Sequence, residues 1–243
     1  MTNLSVNLNK IALLRNSRGR DYPNVVDFAR RFIDLGVQGI TVHPRQDERH
    51  IKRQDTRDLA QYISDIPEVE FNVEGYPSDD FMQLIDETRP DQCTLVPDAT
   101  DQLTSDHGWN VEKNQALLVD ILDKLKKMKV RSALFIDPDV EQIKAAAALG
   151  YDRIELYTES YANAYGTNQM QSVLSRYADA VAAAKESGLE INAGHDLDLK
   201  NLEAFLELGD ILEVSIGHAL TIECILMGID KVTNEYLQIC QTG

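Results

Sequence analysis

The sequence predicts a single (β/α)8 TIM barrel, and three observations carry that prediction. Eight apolar runs of strand length alternate along the chain with longer stretches of helical periodicity. The order helix, glycine, short turn, strand recurs at Gly36, Gly150, Gly188 and Gly209. Glycine is the natural residue just past a helix end, because left-handed backbone costs it little. The chain has 243 residues, which suits eight βα units, typically about 250 residues in all. An open doubly wound sheet is the competing architecture. However, no GxGxxG follows the first strand and no shift of composition marks a boundary, so residues 1–243 are expected to form one domain.

The first strand is LSVNL, residues 4–8. A helix follows over 25–36, where Val25, Phe28, Ala29, Phe32 and Ile33 recur at spacings of three and four. The next strands are GITVH (39–43), EFNVE (70–74) and QCTLV (92–96). The segment 97–110, PDATDQLTSDHGWN, is long, polar and carries the only Trp, and is expected to be a mobile lid. In 111–128, Leu117, Leu118, Ile121, Leu122, Leu125 and Met128 again have helical spacing. The remaining strands are RSALFI (131–136), RIELYT (153–158), EINAG (190–194) and LEVSI (212–216). Several strands read as apolar on both faces, as strands covered on both sides should.

The net charge of −16 argues against nucleic acid as a partner, because phosphate neutralisation needs a basic face. It leaves small anionic ligands open, since these respond to the local field of a cleft. No apolar run approaches the roughly 18–20 residues needed to cross a bilayer, so no membrane role is expected. The first 20 residues do not read as a signal peptide. Cys93, Cys224 and Cys240 form no paired motif, which points to a reducing compartment and a cytoplasmic protein with structural thiols.

In such barrels the chemistry sits at the C-terminal ends of the strands. The polar residues fall there: Asn7, Asn9 and Lys10 after the first strand, His43 and Arg45 after the second, with His50 beyond. Glu74 ends the third, Thr104 and His107 follow the fourth, Asp137 ends the fifth and Glu155 lies in the sixth. Asn192 and His195 end the seventh, and Gly217 and His218 the eighth. All five histidines are expected at or after a strand end and none on a helix. Histidine titrates nearest neutral pH and is the usual proton carrier.

His43, Asp47 and His50 invite a metal reading, but Pro44 breaks the helix that i,i+4 ligands would need, and Arg45 and Arg49 would repel a divalent ion. Arg18, Arg45 and His50 look instead like anion ligands, since a guanidinium matches a phosphate. Arg15 and Arg49 are read as solvated surface charge. NAGH (192–195) and SIGHA (215–219) suggest a second anion site, because small residues let backbone amides approach a ligand at a helix start. Glu74, between apolar neighbours, should have a raised pKa, the property of a general acid or base. Lys10 is the only lysine placed at a strand end, so an imine-forming aldolase is the rival enzyme reading. A non-catalytic binder of phosphorylated metabolites is the rival of another class.

Taken in order, VNLNKIALLRNSRG, GITVHPRQDERHI, NVEG, LVPD, LFIDPD, IELYT, INAGHDL and SIGHA resemble the pyridoxine 5′-phosphate synthase family, from about residue 4 to about 239. The resemblance implies a (β/α)8 barrel with extra helices, assembled as a homo-oligomer, often an octamer. It implies condensation of 1-deoxy-D-xylulose 5-phosphate with 3-amino-2-oxopropyl phosphate to pyridoxine 5′-phosphate, phosphate and water, with small phosphorylated molecules as partners and no metal or redox cofactor. His43 and Glu74 would be acid/base residues, His195 the proton donor and Glu155 the transition-state stabiliser. Asn7, Arg18, Gly217 and His218 would hold the amino ketone phosphate, and Arg45, His50 and Thr104 the deoxyxylulose phosphate. Two positions depart from the family pattern: Asn9-Lys10 replaces a common Asp-His, and Asp196 replaces the glycine after NAGH. Both are kept as substrate-binding positions.

Overall fold

The computed structural model of the chain describes residues 1–98 and 105–242. Eight parallel strands close into a barrel in chain order: β1 Asn3–Asn7, β2 Gly39–Val42, β3 Glu70–Gly75, β4 Gln92–Leu95, β5 Arg131–Ile136, β6 Arg153–Tyr157, β7 Glu190–Gly194 and β8 Glu213–Ile216. Closure is made by β8 against β1, in register from Asn3 opposite Glu213 to Val6 opposite Ile216. Each strand ends within two residues of its expected position.

The helices are α1 Asn9–Asn16, α2 Val25–Asp34, α3 Arg53–Ile63, α4 Asp79–Thr88, α5 Gln115–Met128, α6 Val140–Leu149, α7 Glu159–Ala164, α8 Met170–Glu186, α9 Leu202–Leu206, α10 His218–Met227 and α11 Ile229–Thr242. Two helices therefore follow each of β1, β6 and β8, which supplies the extra helices. Side-chain caps fix several starts: Asn24 accepts from Asp27 N (3.0 Å), Ser78 from Phe81 N (3.3 Å), and Asp139 from Glu141 N (2.9 Å). The four recurring glycines all adopt left-handed backbone, with φ between 72° and 97°. No helix among the described residues is long and apolar enough to cross a membrane.

Most strands are not apolar on both faces; β5, with Ala133, Leu134, Phe135 and Ile136 all buried, is the exception. The others alternate with period two, and the apolar members (Leu4 and Val6, Ile40 and Val42, Phe71 and Val73, Ile154 and Leu156) join the main hydrophobic core. The other face points into the barrel and is largely polar, with Ala133 and Phe135 of β5 as apolar members. Ser5 Oγ lies 2.8 Å from Thr41 Oγ1, Asn72 Nδ2 donates to Thr41 Oγ1 (3.4 Å), and Thr94 donates to Asn72 Oδ1 (3.0 Å). Near the strand starts, Arg131 and Arg153 pair with Glu70, and Arg153 also with Glu190. A barrel interior usually filled by branched apolar side chains is here a hydrogen-bonded belt. That belt lets ionisable groups continue upward to the strand ends.

Candidate active site

A cavity of about 490 Å³ opens at the C-terminal ends of the strands. Asn7, Asn9, Lys10, His43, Arg45, His50, Glu74, Glu155, His195, Asp196, Gly217 and His218 all line it. Twelve of the fourteen expected site residues thus converge from six strand ends. Arg18 does not join them: it lies on the exposed turn after α1. Thr104 lies outside the described residues.

The β1 end positions β2's histidine. Asn7 Oδ1 accepts from Asn9 N (3.0 Å), and Asn9 Oδ1 accepts from His43 N (2.9 Å). Asn9 therefore works here through its amide oxygen on the backbone of His43. The His43 ring lies between two carboxyls, with Nδ1 3.8 Å from Glu74 Oε2 and Nε2 3.8 Å from Asp98 Oδ2. Burial, with Arg45 and His50 nearby, holds the His43 pKa well below its usual value. Burial, with Glu155 and Asp98 nearby, lifts Glu74 well above the carboxylate range. Both shifts favour the uncharged forms of the two side chains, and so work against an ion pair between His43 and Glu74.

Glu155 is 4% exposed, and its Oε2 meets no hydrogen-bond partner among the described residues. Burial, reinforced by Glu213, raises its pKa to about 8. Glu213, beneath it in the barrel, is itself raised to about 7 by burial and by Glu70, and accepts from Asn192 Nδ2 at 2.9 Å. Gly194 leaves the room Glu155 needs, since a Cβ there would sit 2.5 Å from Glu155 Oε1. Gly217 similarly lets β8 close on β1: its Cβ would stand 3.0 Å from Asn7 Cβ.

The basic corner after β2 is pinned from behind. Arg15 is buried, not solvated as its surroundings in sequence suggest. It forms a two-pronged pair with Asp55 (2.5 and 2.7 Å) and reaches the His50 carbonyl at 3.4 Å. Asn16 Nδ2 donates to the same carbonyl (2.7 Å) and to that of Arg49 (3.1 Å). His50 Nδ1 accepts from Ile51 N at 2.9 Å, so the neutral ring carries its proton on Nε2. Burial beside Arg45 and Lys10 lowers its pKa to about 4. Arg45 is ion-paired to Asp98, which also accepts from Ser105 Oγ at 2.9 Å. Arg49 is half-buried, on the cavity wall, and pairs with Asp47.

His195 and Asp196 both take left-handed backbone, with φ of 89° and 58°. Glycine adopts that conformation most readily, so Asp196 holds a glycine-like position while its side chain is exposed. Burial lowers the His195 pKa, and Asp196, Glu159 and Asp98 partly offset this. His218 departs from the expectation that no histidine lies on a helix: it is the first residue of α10, directly after Gly217. Trp109 departs from the lid expectation. It is 3% exposed, donates from Nε1 to Leu95 O (2.8 Å) and stacks on Tyr76, so it anchors the end of its segment. Residues 99–104 of the expected lid lie outside the described residues.

Asp98 was missed in the sequence as a site residue, although LVPD sets it at a strand end like the others. Glu159 was missed because it opens a helix, and Glu213 because it begins a strand.

The sequence profile of the pyridoxal phosphate biosynthesis protein PdxJ matches residues 4–242. A pyridoxine 5′-phosphate synthase of Flavobacterium johnsoniae is 46% identical over 239 residues, covering 98% of this chain and 99% of that protein. One of Porphyromonas gingivalis is 48% identical over 237 residues, covering 97% and 98%. A solved structure from Aquifex aeolicus superposes with a TM-score of 0.66 at 13% identity, covering 99% of this chain and 92% of that one, a likeness of fold. With a profile matched from end to end, and relatives near half-identical over their whole length, the chain belongs to the pyridoxal phosphate biosynthesis protein PdxJ family.

Proposed function

We propose that the chain is a pyridoxine 5′-phosphate synthase, a single barrel domain that closes a pyridine ring from 1-deoxy-D-xylulose 5-phosphate and 3-amino-2-oxopropyl phosphate. One observation carries the reading. An imidazole whose burial favours its neutral form, His43, sits 3.8 Å from a carboxyl whose pKa burial raises, Glu74, inside a cavity walled on one side by Arg45, Arg49 and His50. Ring closure needs imine formation, several proton shifts and the loss of water and phosphate. Each proton shift needs a carrier poised near neutrality. Held toward its neutral form, His43 can accept a proton, and Glu74, with its raised pKa, can give one, so that each is reset by the other as a proton passes between them and the substrate. Glu155 lies deeper, uncharged at neutral pH. It can donate its proton to a developing oxyanion or, once ionised, stabilise a cationic imine. His195, on the opposite wall, supplies the proton for the departing oxygen.

Arg45 and His50 would hold one phosphate. Asn7, Gly217 and His218 would hold the other at the start of α10, where unpaired amides and the helix dipole favour an anion. Lys10 and Asp196 line the same space and are read as substrate contacts. Arg18 could join the site only from elsewhere than its exposed turn. We further propose that the protein works in the cytoplasm as a homo-oligomer. Exposed apolar side chains on α1 and α10 (Leu14, Ile222, Ile225, Leu226) support the oligomer.

Steady-state kinetics of His43→Asn and Glu74→Gln test the acid/base assignment. Each should lower kcat by about 100-fold or more while the protein still binds both substrates. Turnover within a few-fold of the parent in both variants would remove these residues from the mechanism.

A further inference from the structure

We propose that the corner joining β6 to α7, Tyr157-Thr158-Glu159, positions His195, and that Glu159 is the residue that keeps its imidazole able to carry a proton. The inference rests on the reading of His195 as proton donor. Three contacts converge on that histidine from this corner. The Tyr157 ring meets the imidazole edge-on, with centroids 5.1 Å apart and planes at 73°, and Phe135 stands on another side at 6.1 Å. The buried Thr158 hydroxyl reaches the carbonyl oxygens of both Gly194 (2.7 Å) and His195, and Thr158 N donates to Gly194 O at 3.1 Å. The carbonyls so held flank a residue whose φ of 89° is costly for a side chain with a Cβ, and such backbone persists only where its surroundings hold it. The third contact is electrostatic. Glu159 lines the same cavity, and its carboxylate is fixed by the Tyr157 hydroxyl, which donates to it.

The charges facing His195 explain why such a carboxylate is needed. Burial pushes the imidazole toward its neutral form, and Lys10 on α1 and any charge on His43 after β2 push the same way. Asp196 on its own loop, Glu159 from α7 and Asp98 after β4 pull it back toward the protonated form. Asp98 is engaged by Arg45, and Asp196 is exposed to solvent. Glu159 is the one of the three set by a side-chain hydrogen bond from the residue that also packs on the imidazole ring.

Glu159→Gln keeps an acceptor for Tyr157 and removes the charge. The alkaline limb of the kcat–pH profile should move down by about 0.5–1 unit, so that kcat above the limb falls about threefold to tenfold while kcat below it is unchanged. Histidine-labelled protein, with His195→Asn assigning the resonance, should show the His195 imidazole titrating lower by the same amount. A His195 titration that stays in place, or an equal loss of kcat at every pH, would overturn the proposal. A His195→Asn variant that retains turnover would instead overturn the proton-donor role, and the titration of His195 would still report whether Glu159 acts on it.

Discussion

Glu155 should make the protein less stable as pH rises, and replacing it by its uncharged isostere should remove that loss. A carboxyl with a higher pKa in the folded than in the unfolded chain binds more protons when folded. Folding is then favoured below the unfolded pKa and loses ground as pH climbs through the folded value. For Glu155 the two values are 4.5 and about 8, set by burial and by Glu213. At 1.36 kcal/mol per unit, the penalty is about 1 kcal/mol at pH 5 and about 4 kcal/mol at pH 8. Glu155→Gln should therefore gain about 3 kcal/mol on the parent between those pH values, while losing most of its turnover. Urea unfolding at pH 5 and pH 8 measures this, with the buried Trp109 as the fluorescent reporter. A stability difference that is the same at both pH values, or a variant less stable than the parent at pH 8, would refute the reasoning.

Other consequences follow from the same geometry. Gly194→Ala puts a Cβ 2.5 Å from Glu155 Oε1 and 3.1 Å from Ser215 O, so kcat should fall about tenfold or more, with about 1–3 kcal/mol of stability lost, as read by kinetics and urea unfolding. Arg45→Ala leaves Asp98 buried without its cation. It should raise KM for one phosphorylated substrate about tenfold or more and cost about 3 kcal/mol, separating anchor from bystander in a single titration. Borohydride added during turnover should leave no adduct on Lys10 by mass spectrometry; an adduct there would favour the imine-forming aldolase chemistry.

The barrel was legible in the sequence because its signals are local. Strand-length apolar runs and helix-ending glycines are read from neighbours along the chain, and the eight strands lie where those signals put them. The catalytic face was legible for the related reason that chemistry in this architecture gathers at strand ends, which carried His43, Glu74 and His195 into one cavity. What was not legible depends on neighbours across the barrel. Ser5, Thr41, Asn72 and Thr94 look like incidental polar residues until four strands bring them into one hydrogen-bonded belt. Arg15 reads as surface charge until Asp55, 40 residues on, meets it. Trp109 reads as part of a lid until the Leu95 carbonyl fixes its indole. Glu213 begins its strand, where no rule of strand ends looks, yet it helps set the pKa of Glu155.

The central claim is that this cavity joins two phosphorylated ketones into a pyridine ring by proton transfer. Its most direct measurement is to incubate the purified protein with 1-deoxy-D-xylulose 5-phosphate and 3-amino-2-oxopropyl phosphate, in the presence of a metal chelator, and to follow absorbance, mass and released phosphate. The account predicts pyridoxine 5′-phosphate and one inorganic phosphate per turnover, abolished in His43→Asn. Substrates recovered unchanged, or product that forms only on adding a metal, would contradict it.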